Sequence, residues 1–418
     1  MTRLLPHHLI GLFALALLSI PMASGAAAQP AAVWKNAWPM VGHDPQQTGR
    51  SPGDGPLTPH LLWTYRGLSG PALIGPDGSV YGWSHKGLLA LSATGRLRWI
   101  VPAEESFGGP PALGPDGLLR VSGQLPGAPA RNLAREPRIS LFAVASQGRR
   151  VWTIRSLPWA TVPRSVPFSK GVAPIVTAAN VLYVPFVGPA YQRWENTGVE
   201  IVSPRGTPLR RLLAGFGGAI AVAPGGTVYQ LGYDYQGHNE ILATRTDGAL
   251  LWHRGVSYGQ SGSVVVGLHG TVYVSDAGGW GPGDVGEVAA FTPAGRRLWQ
   301  LATRGGPAAL AERADGTILA ADGNGLTALS PRGRRLWHVS LGRPPANAAS
   351  PSLAVDAAGR AYVGSSDGRV RAVASGGTLR WTLDAGGPSR AGFTPSLALG
   401  PTSTLAVTGT DNVLRLYH

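Results

Sequence analysis

The chain has 418 residues, among them 60 Gly and 36 Pro, with hydrophobic residues at 44% and charged ones at only 14%. This composition excludes a coiled coil or a bundle of long amphipathic helices and points to many short strands joined by tight turns. A formal net charge of +14 makes polyanions such as nucleic acid, anionic lipid or acidic polysaccharide attractive partners, and the absence of cysteine excludes both a disulfide-built scaffold and a lipid-modified cysteine anchor.

Residues 1–28 are expected to be an export signal. Arg3 supplies a positive start, Leu9 to Ile20 form a short apolar run, and Ala26-Ala27-Ala28 offers small residues for cleavage before Gln29. Ser19 and Pro21 interrupt the apolar stretch, which is short for a bilayer span. The mature chain is therefore expected to be periplasmic or secreted, without a transmembrane anchor, and monomeric. Residues 29–57 read as a leader or cap segment, and residues 58–418 as one repeat domain.

Along that domain one pattern recurs. Ala-x4-Gly-x3-Trp stands at Ala90/Gly95/Trp99, Ala143/Gly148/Trp152, Ala243/Gly248/Trp252, Ala290/Gly295/Trp299, Ala328/Gly333/Trp337 and Ala372/Gly377/Trp381. A degenerate copy, Ile201/Gly206/Arg210, keeps the spacing but not the Trp. Upstream of each copy a small turn enters a β-branched or aromatic strand, as in Asp77-Gly78-Ser79-Val80-Tyr81 and His269-Gly270-Thr271-Val272-Tyr273, and short apolar runs such as Ser263 to Val266 precede those turns. Four strand signals per repeat of this length describe a propeller blade.

The two ends of the repeat array do not match. After Trp381 the chain offers Ser396 to Leu399, Thr404 to Val407 and Val413 to Leu416, and then stops at His418 without a Trp strand. That strand is found at the other end, in Leu61-Leu62-Trp63-Thr64-Tyr65. The expected fold is thus all-β: an eight-bladed β-propeller of four-stranded antiparallel blades, closed by pairing of the N-terminal strand with the C-terminal blade, which leaves no open sheet edge. A seven-bladed ring is the alternative, should the unit around Ile201 be an insertion. Trp63, Trp99, Trp152, Trp252, Trp299, Trp337 and Trp381, with Gly95, Gly148, Gly248, Gly295, Gly333 and Gly377, are assigned to structural docking between blades: the glycines permit the positive φ of a tight turn and the indoles pack.

Candidate binding residues lie elsewhere. Long insertions at Ser122 to Arg138, Pro185 to Gly198, Gly232 to Asn239 and Ser275 to Gly286 would all project from one end of the ring, in consecutive blades, where variable loops usually serve recognition. They carry Phe186, Tyr191, Trp194, Tyr233, Asp234, Tyr235, His238, Trp280 and Asp284, with Trp159 and Tyr258 on inter-blade connections. Aromatics mixed with polar groups suit partner hot spots or sugar stacking; the same rings could equally pack their own loops. At the other end, Arg149/Arg150, Arg210/Arg211, Arg296/Arg297 and Arg334/Arg335 would form a basic rim, with strand alternation letting only one of each pair face a given surface. No catalytic or metal-ligating constellation is found: no Gly-x-Ser-x-Gly, no phosphate-binding Gly-x4-Gly-Lys, no Asp-rich calcium loop and no paired histidine spacing.

The segment Ala90-Leu-Ser-Ala-Thr-Gly-Arg-Leu-Arg-Trp99 resembles the tryptophan-docking repeat of the pyrroloquinoline-quinone-like (PQQ-like) β-propeller family, and Trp38 to Arg50 resembles the segment that often precedes its first blade. The resemblance spans residues 38–418. It implies three lines of function: quinoprotein dehydrogenases using PQQ with calcium, the propeller lipoprotein of outer-membrane barrel assembly, and other exported propellers. The dehydrogenases' adjacent-cysteine disulfide cannot exist here, and no acidic cluster offers the six to eight oxygens that Ca²⁺ takes. The expectation is therefore a non-enzymatic scaffold without cofactor, binding an envelope protein or polysaccharide. A PQQ enzyme, or a non-lipidated relative of the barrel-assembly propeller, stays open as the alternative.

Overall fold

The computed structural model describes residues 37–102, 106–107, 109–124, 139–157, 173–186, 198–213, 219–233, 239–256, 262–276, 285–304, 308–342, 351–388 and 394–418. Regular structure in these residues is β-strand throughout, gathered into eight antiparallel sheets arranged as a ring. Among the described residues, no helix is long and apolar enough to cross a membrane.

Each sheet is one blade, with strands named a to d from the centre outwards. Blade 1 comprises Leu68–Ile74, Val80–Ser84, Gly87–Leu91 and Leu97–Val101; blades 3 to 7 repeat this order from Ile175–Val176 to Leu379–Asp384. The unit around Ile201 is a complete blade, Ile175–Val176, Leu182–Phe186, Gly198–Val202 and Pro208–Leu213, which removes the seven-blade count. Blade 2 departs from the pattern: two short strands, Ser106–Phe107 and Ala112–Leu113, share the place of strand a beside Leu119–Gln124. In blade 8, Ser396–Gly400, Thr404–Thr408 and Val413–Tyr417 are joined by Leu61–Arg66 as strand d, with Trp63 opposite Leu416 and Arg66 opposite Val413. His60 and His418 exchange backbone hydrogen bonds of 2.8 and 2.9 Å where the other blades have a covalent turn.

Burial explains why the blades associate. Strands a to c are buried on both faces, as in Val264–Val266 and Gly87–Leu91, while strand d alternates exposed and half-buried, as in Arg335–Ser340. The apolar clusters lie between blades rather than within them. Leu73 and Trp83 of blade 1 pack with Val121 and Phe142 of blade 2, Val266 and Phe291 of blade 5 with Tyr229 of blade 4, and Leu399 of blade 8 with Ile74 of blade 1. A single blade could bury neither face alone, so the core exists only once the circle is assembled.

The repeated Trp and Gly meet across the blade boundary. The indole N–H of Trp99 donates to the Ser146 carbonyl at 2.7 Å, that of Trp252 to Pro293 at 2.7 Å and that of Trp299 to Pro331 at 2.9 Å; each acceptor stands two residues before the turn glycine of the next blade. Trp63, Trp152 and Trp337 donate to Ala93, Pro204 and Ser375 in the same way. The indole then lies flat on that glycine: a Cβ added to Gly295 would stand 2.6 Å from Trp252, and one on Gly333 2.6 Å from Trp299. Two demands therefore coincide at one position, a φ near +80° and the close approach of a ring. Gly248 departs from the pattern because blade 3 carries Arg210 in place of Trp; the nearest approach there is the guanidinium, 3.7 Å away. Trp381 packs against Tyr362 with ring centroids 5.7 Å apart, a contact that Trp99, Trp252 and Trp299 also make with Tyr81, Tyr229 and Tyr273.

Every strand d is bulged. In all eight blades the register slips at the residue before the Trp (or before Arg210), so two residues of strand d oppose one of strand c. A bulge adds a residue and bends the strand. The expected alternation of the arginine pairs holds in blades 2 and 3, where Arg149 and Arg210 are exposed and Arg150 and Arg211 half-buried, and fails in blades 5 and 6, where Arg296 and Arg334 close the turn ahead of the strand and are exposed together with Arg297 and Arg335.

Candidate binding surfaces

Antiparallel blades give the disc two unlike ends. The a–b and c–d turns share one end, where each turn closes in four residues, as at Ser92 to Gly95 and Thr292 to Gly295. The b–c loops and inter-blade connections share the other. Of the candidate loop residues, Phe186 and Tyr233 terminate strands b of blades 3 and 4 at this loop end. Tyr191, Trp194, Asp234, Tyr235, His238, Trp280 and Asp284, with Trp159 and Tyr258, lie outside the described residues. The strands reach further into the insertions than the sequence suggests: Leu119–Gln124 takes in Ser122 to Gln124, and Val272–Asp276 takes in Ser275 and Asp276.

Beneath the long loops the sequence reading missed a set of carboxylates. On strands c of blades 3, 4 and 5 stand Glu200, Glu240 and Glu287, and Asp276 is the cross-strand neighbour of Glu287. Glu200, Glu287 and Asp276 are buried. Glu200 faces Arg211 at 3.4 Å, Glu240 faces His253 at 3.0 Å, and Gln300 donates to Glu287. Their common signal was an odd offset before the repeat position, one before Ile201 and three before Ala243 and Ala290, visible only when the blades are aligned on that residue. In a chain of +14, carboxylates collect toward the loop end of these blades, while most exposed arginines stand at the turn end, with Arg66, Arg254 and Arg369 at the loop end.

At the turn end the leader crosses the mouth of the central channel. Successive backbone groups of residues 38–53 bond to the ends of the innermost strands in order: Trp38 with Ile74 (blade 1), the Pro39 carbonyl with Leu113 (blade 2), Pro45 with Val222 (blade 4), Gln46 with Val266 (blade 5), Thr48 with Glu312 (blade 6) and Gly49 with Val355 (blade 7). Met40 is fully buried among blade 3 residues. Those strand ends would otherwise leave buried N–H groups without acceptors, a cost the leader removes. Its turn is internally fixed: Asp44 accepts from the Thr48 N–H at 2.9 Å and from the Thr48 hydroxyl, and the Gln47 amide donates to Val41 at 2.9 Å.

Two buried groups anchor the strap to the ring. Glu312 accepts from the Leu268 N–H at 3.0 Å and lies 3.7 Å from Arg50; burial nevertheless pushes its carboxyl above the usual range. Asp356 accepts from the Gly55 N–H at 3.2 Å, from Arg360 at 2.6 Å and from the Tyr362 hydroxyl at 3.0 Å, and burial pushes the Tyr362 hydroxyl up. A cavity of about 10 Å³ under the strap, lined by Gln47, Ile220, Ser263 and Leu310 among others, has room for one water at most. Among the described residues no three His, Asp or Glu side chains stand close enough to hold a metal ion.

The model of the family described as "Outer membrane protein assembly factor BamB" matches residues 135–363 and 322–415, two overlapping stretches that together take up most of the chain. The chain belongs to this PQQ-repeat propeller family. Among solved structures, BamB from Moraxella catarrhalis is similar over 86% of this chain and 100% of its own, with 16% identity and a TM-score of 0.60, a likeness of fold. BBS1N in complex with ARL6DN aligns over 86% of this chain and 96% of its own, with 13% identity and a TM-score of 0.45, and supports no argument here. No curated protein sequence matches the chain. Family membership thus agrees with the docking repeat on which the resemblance rested.

Proposed function

We propose that this protein is an extracytoplasmic, non-enzymatic propeller that serves as a protein-binding scaffold in outer-membrane assembly, with residues 1–28 as its export signal. The family match supports the assembly role, since the matched family is described as an assembly factor. The partner would be held by the loop end of blades 2 to 5. The observation that carries this assignment is the asymmetry of the disc: closed four-residue turns and a strapped channel at one end, long insertions over paired carboxylates at the other. A closed ring fixes the strand ends from which these insertions leave, which lowers the ordering cost of binding there.

The test is capture of an outer-membrane assembly component from the envelope of the source cell, by crosslinking through the loop end. Trp194→Ala with Trp280→Ala should abolish capture while leaving the unfolding midpoint unchanged. Undiminished capture by that variant, or capture through turn-end positions alone, would refute the site. Adding envelope polysaccharide decides between protein and glycan: if polysaccharide competes the captured protein away, the loops are a sugar site and the scaffold reading falls.

A further inference from the structure

All exposed large apolar side chains among the described residues lie at one end of the molecule. Leu57 is 70% exposed on the leader and Leu268 49% exposed in the a–b turn of blade 5; the others sit at or beside the bulges of strands d. Each of the eight blades presents at least one there, for example Leu62, Val151, Leu209, Leu298 and Leu336. Single exposed leucines need no explanation. One recurring at the strand-d bulge in six blades, and next to it in blades 1 and 7 as Leu97 and Leu379, always at the turn end, does.

Edge protection accounts for only half of this arrangement. Bulges and arginines both deter another strand from pairing with an outer edge, yet leucine does the opposite. The same positions carry exposed arginines, and Arg96, Arg205, Arg296, Arg332, Arg334 and Arg380 have no acidic partner among the described residues. The result is an annulus of alternating aliphatic and cationic side chains around a flat, strapped face. Eight equivalent positions at one height cannot converge on a peptide or a small ligand, and the bulges interrupt the edge that an added strand would need. They do match a plane.

We infer that the turn end docks on an anionic lipid bilayer, with arginines at the headgroups and leucines entering the interface. Basic residues near an anionic surface and shallow apolar insertion reinforce one another. This assignment is independent of the loop-end reading, since it uses the opposite face; together they would hold the long loops away from the membrane.

The experiment is vesicle co-sedimentation at about 0.15 M salt, where surface charges beyond about 8 Å are screened, with residues 29–418, which retain the leader and every blade. Binding is expected to vesicles containing phosphatidylglycerol and not to phosphatidylcholine alone. Arg296→Glu with Arg334→Glu should weaken it about thirtyfold, from about fivefold per arginine, and Leu298→Ser with Leu336→Ser about tenfold. All four side chains are exposed, so the melting temperature should hold; Leu209→Ser with Leu251→Ser on blades 3 and 4 repeats the test should blades 5 and 6 be perturbed. Failure to bind phosphatidylglycerol, or leucine variants that bind like the parent, overturns the inference. So does competition by duplex DNA that is indifferent to the leucines, since the ring would then be a polyanion site. Loss of vesicle binding in Trp194→Ala with Trp280→Ala alone would place the membrane contact at the loop end and overturn it too.

Discussion

Gly295→Ala tests the contact that joins one blade to the next. The residue has φ +80°, where a Cβ costs roughly 1–2 kcal/mol. The new methyl would also stand 2.6 Å from Trp252 Cδ2, so the indole must move. Moving it breaks the 2.7 Å hydrogen bond to Pro293, worth about 1 kcal/mol, and gives up part of the packing of a ring only 8% exposed. The expected loss is about 3–4 kcal/mol, below the roughly 3–5 kcal/mol range only where the ring finds new contacts. Gly248→Ala supplies the control within the same molecule. Its φ of +91° carries the same backbone cost, but its nearest neighbour is the Arg210 guanidinium at 3.7 Å, so it should lose only about 1–2 kcal/mol. Urea titrations at equal slope measure the difference. Equal losses in the two variants would refute the claim that the indole, rather than the turn, makes glycine necessary.

Three further outcomes are expected. Arg210→Trp should raise the unfolding midpoint, by about 1 kcal/mol, because the indole can lie on Gly248 and donate to the Thr246 carbonyl as its six counterparts do; an unchanged or lowered midpoint in the same titration would count against it. A chain ending at Asn412 lacks Val413–Tyr417, so Leu61–Arg66 has no partner and two sheet edges open; light scattering should show association where the full chain stays dispersed. The Asp411 carboxyl is held below its usual range chiefly by its hydrogen bond from Arg415, at 2.6 Å. A depressed carboxylate contributes stability that is present above the unfolded value of about 3.9 and is lost as pH falls through the folded one. Asp411→Asn should therefore be less stable than the parent at neutral pH and converge with it once pH has fallen through the depressed folded value, as read by thermal midpoints from neutral into acid.

Much of the fold was legible because the repeat is a physical unit. Gly at a fixed distance before Trp encodes a turn and the ring that covers the neighbouring turn, so six copies located six blade boundaries. The degenerate copy at Ile201 kept its spacing because its turn glycine, Gly206, still carries Trp152 of the preceding blade; what Arg210 loses is the docking on Gly248. The candidate site was less legible. Aromatic loop residues such as Trp194 and Trp280 could be named from insertion length, but Glu200, Glu240 and Glu287 look like ordinary polar strand residues until their strands are aligned. The arginine pairs of blades 5 and 6 were misjudged because alternation assumes that both residues lie in the strand, and Arg296 and Arg334 belong to the turn before it.

The sequence by itself determined the blade, its count and the odd strand at each end of the chain, since these follow from local periodicity and turn chemistry. Only the tertiary structure decided where the leader goes and which end of the ring is apolar and basic. Both depend on contacts between residues hundreds of positions apart, such as Gln46 with Val222 and Arg50 with Glu312. Short-range pattern carries no record of which distant strand end needs an acceptor, or of which exposed leucines share a plane.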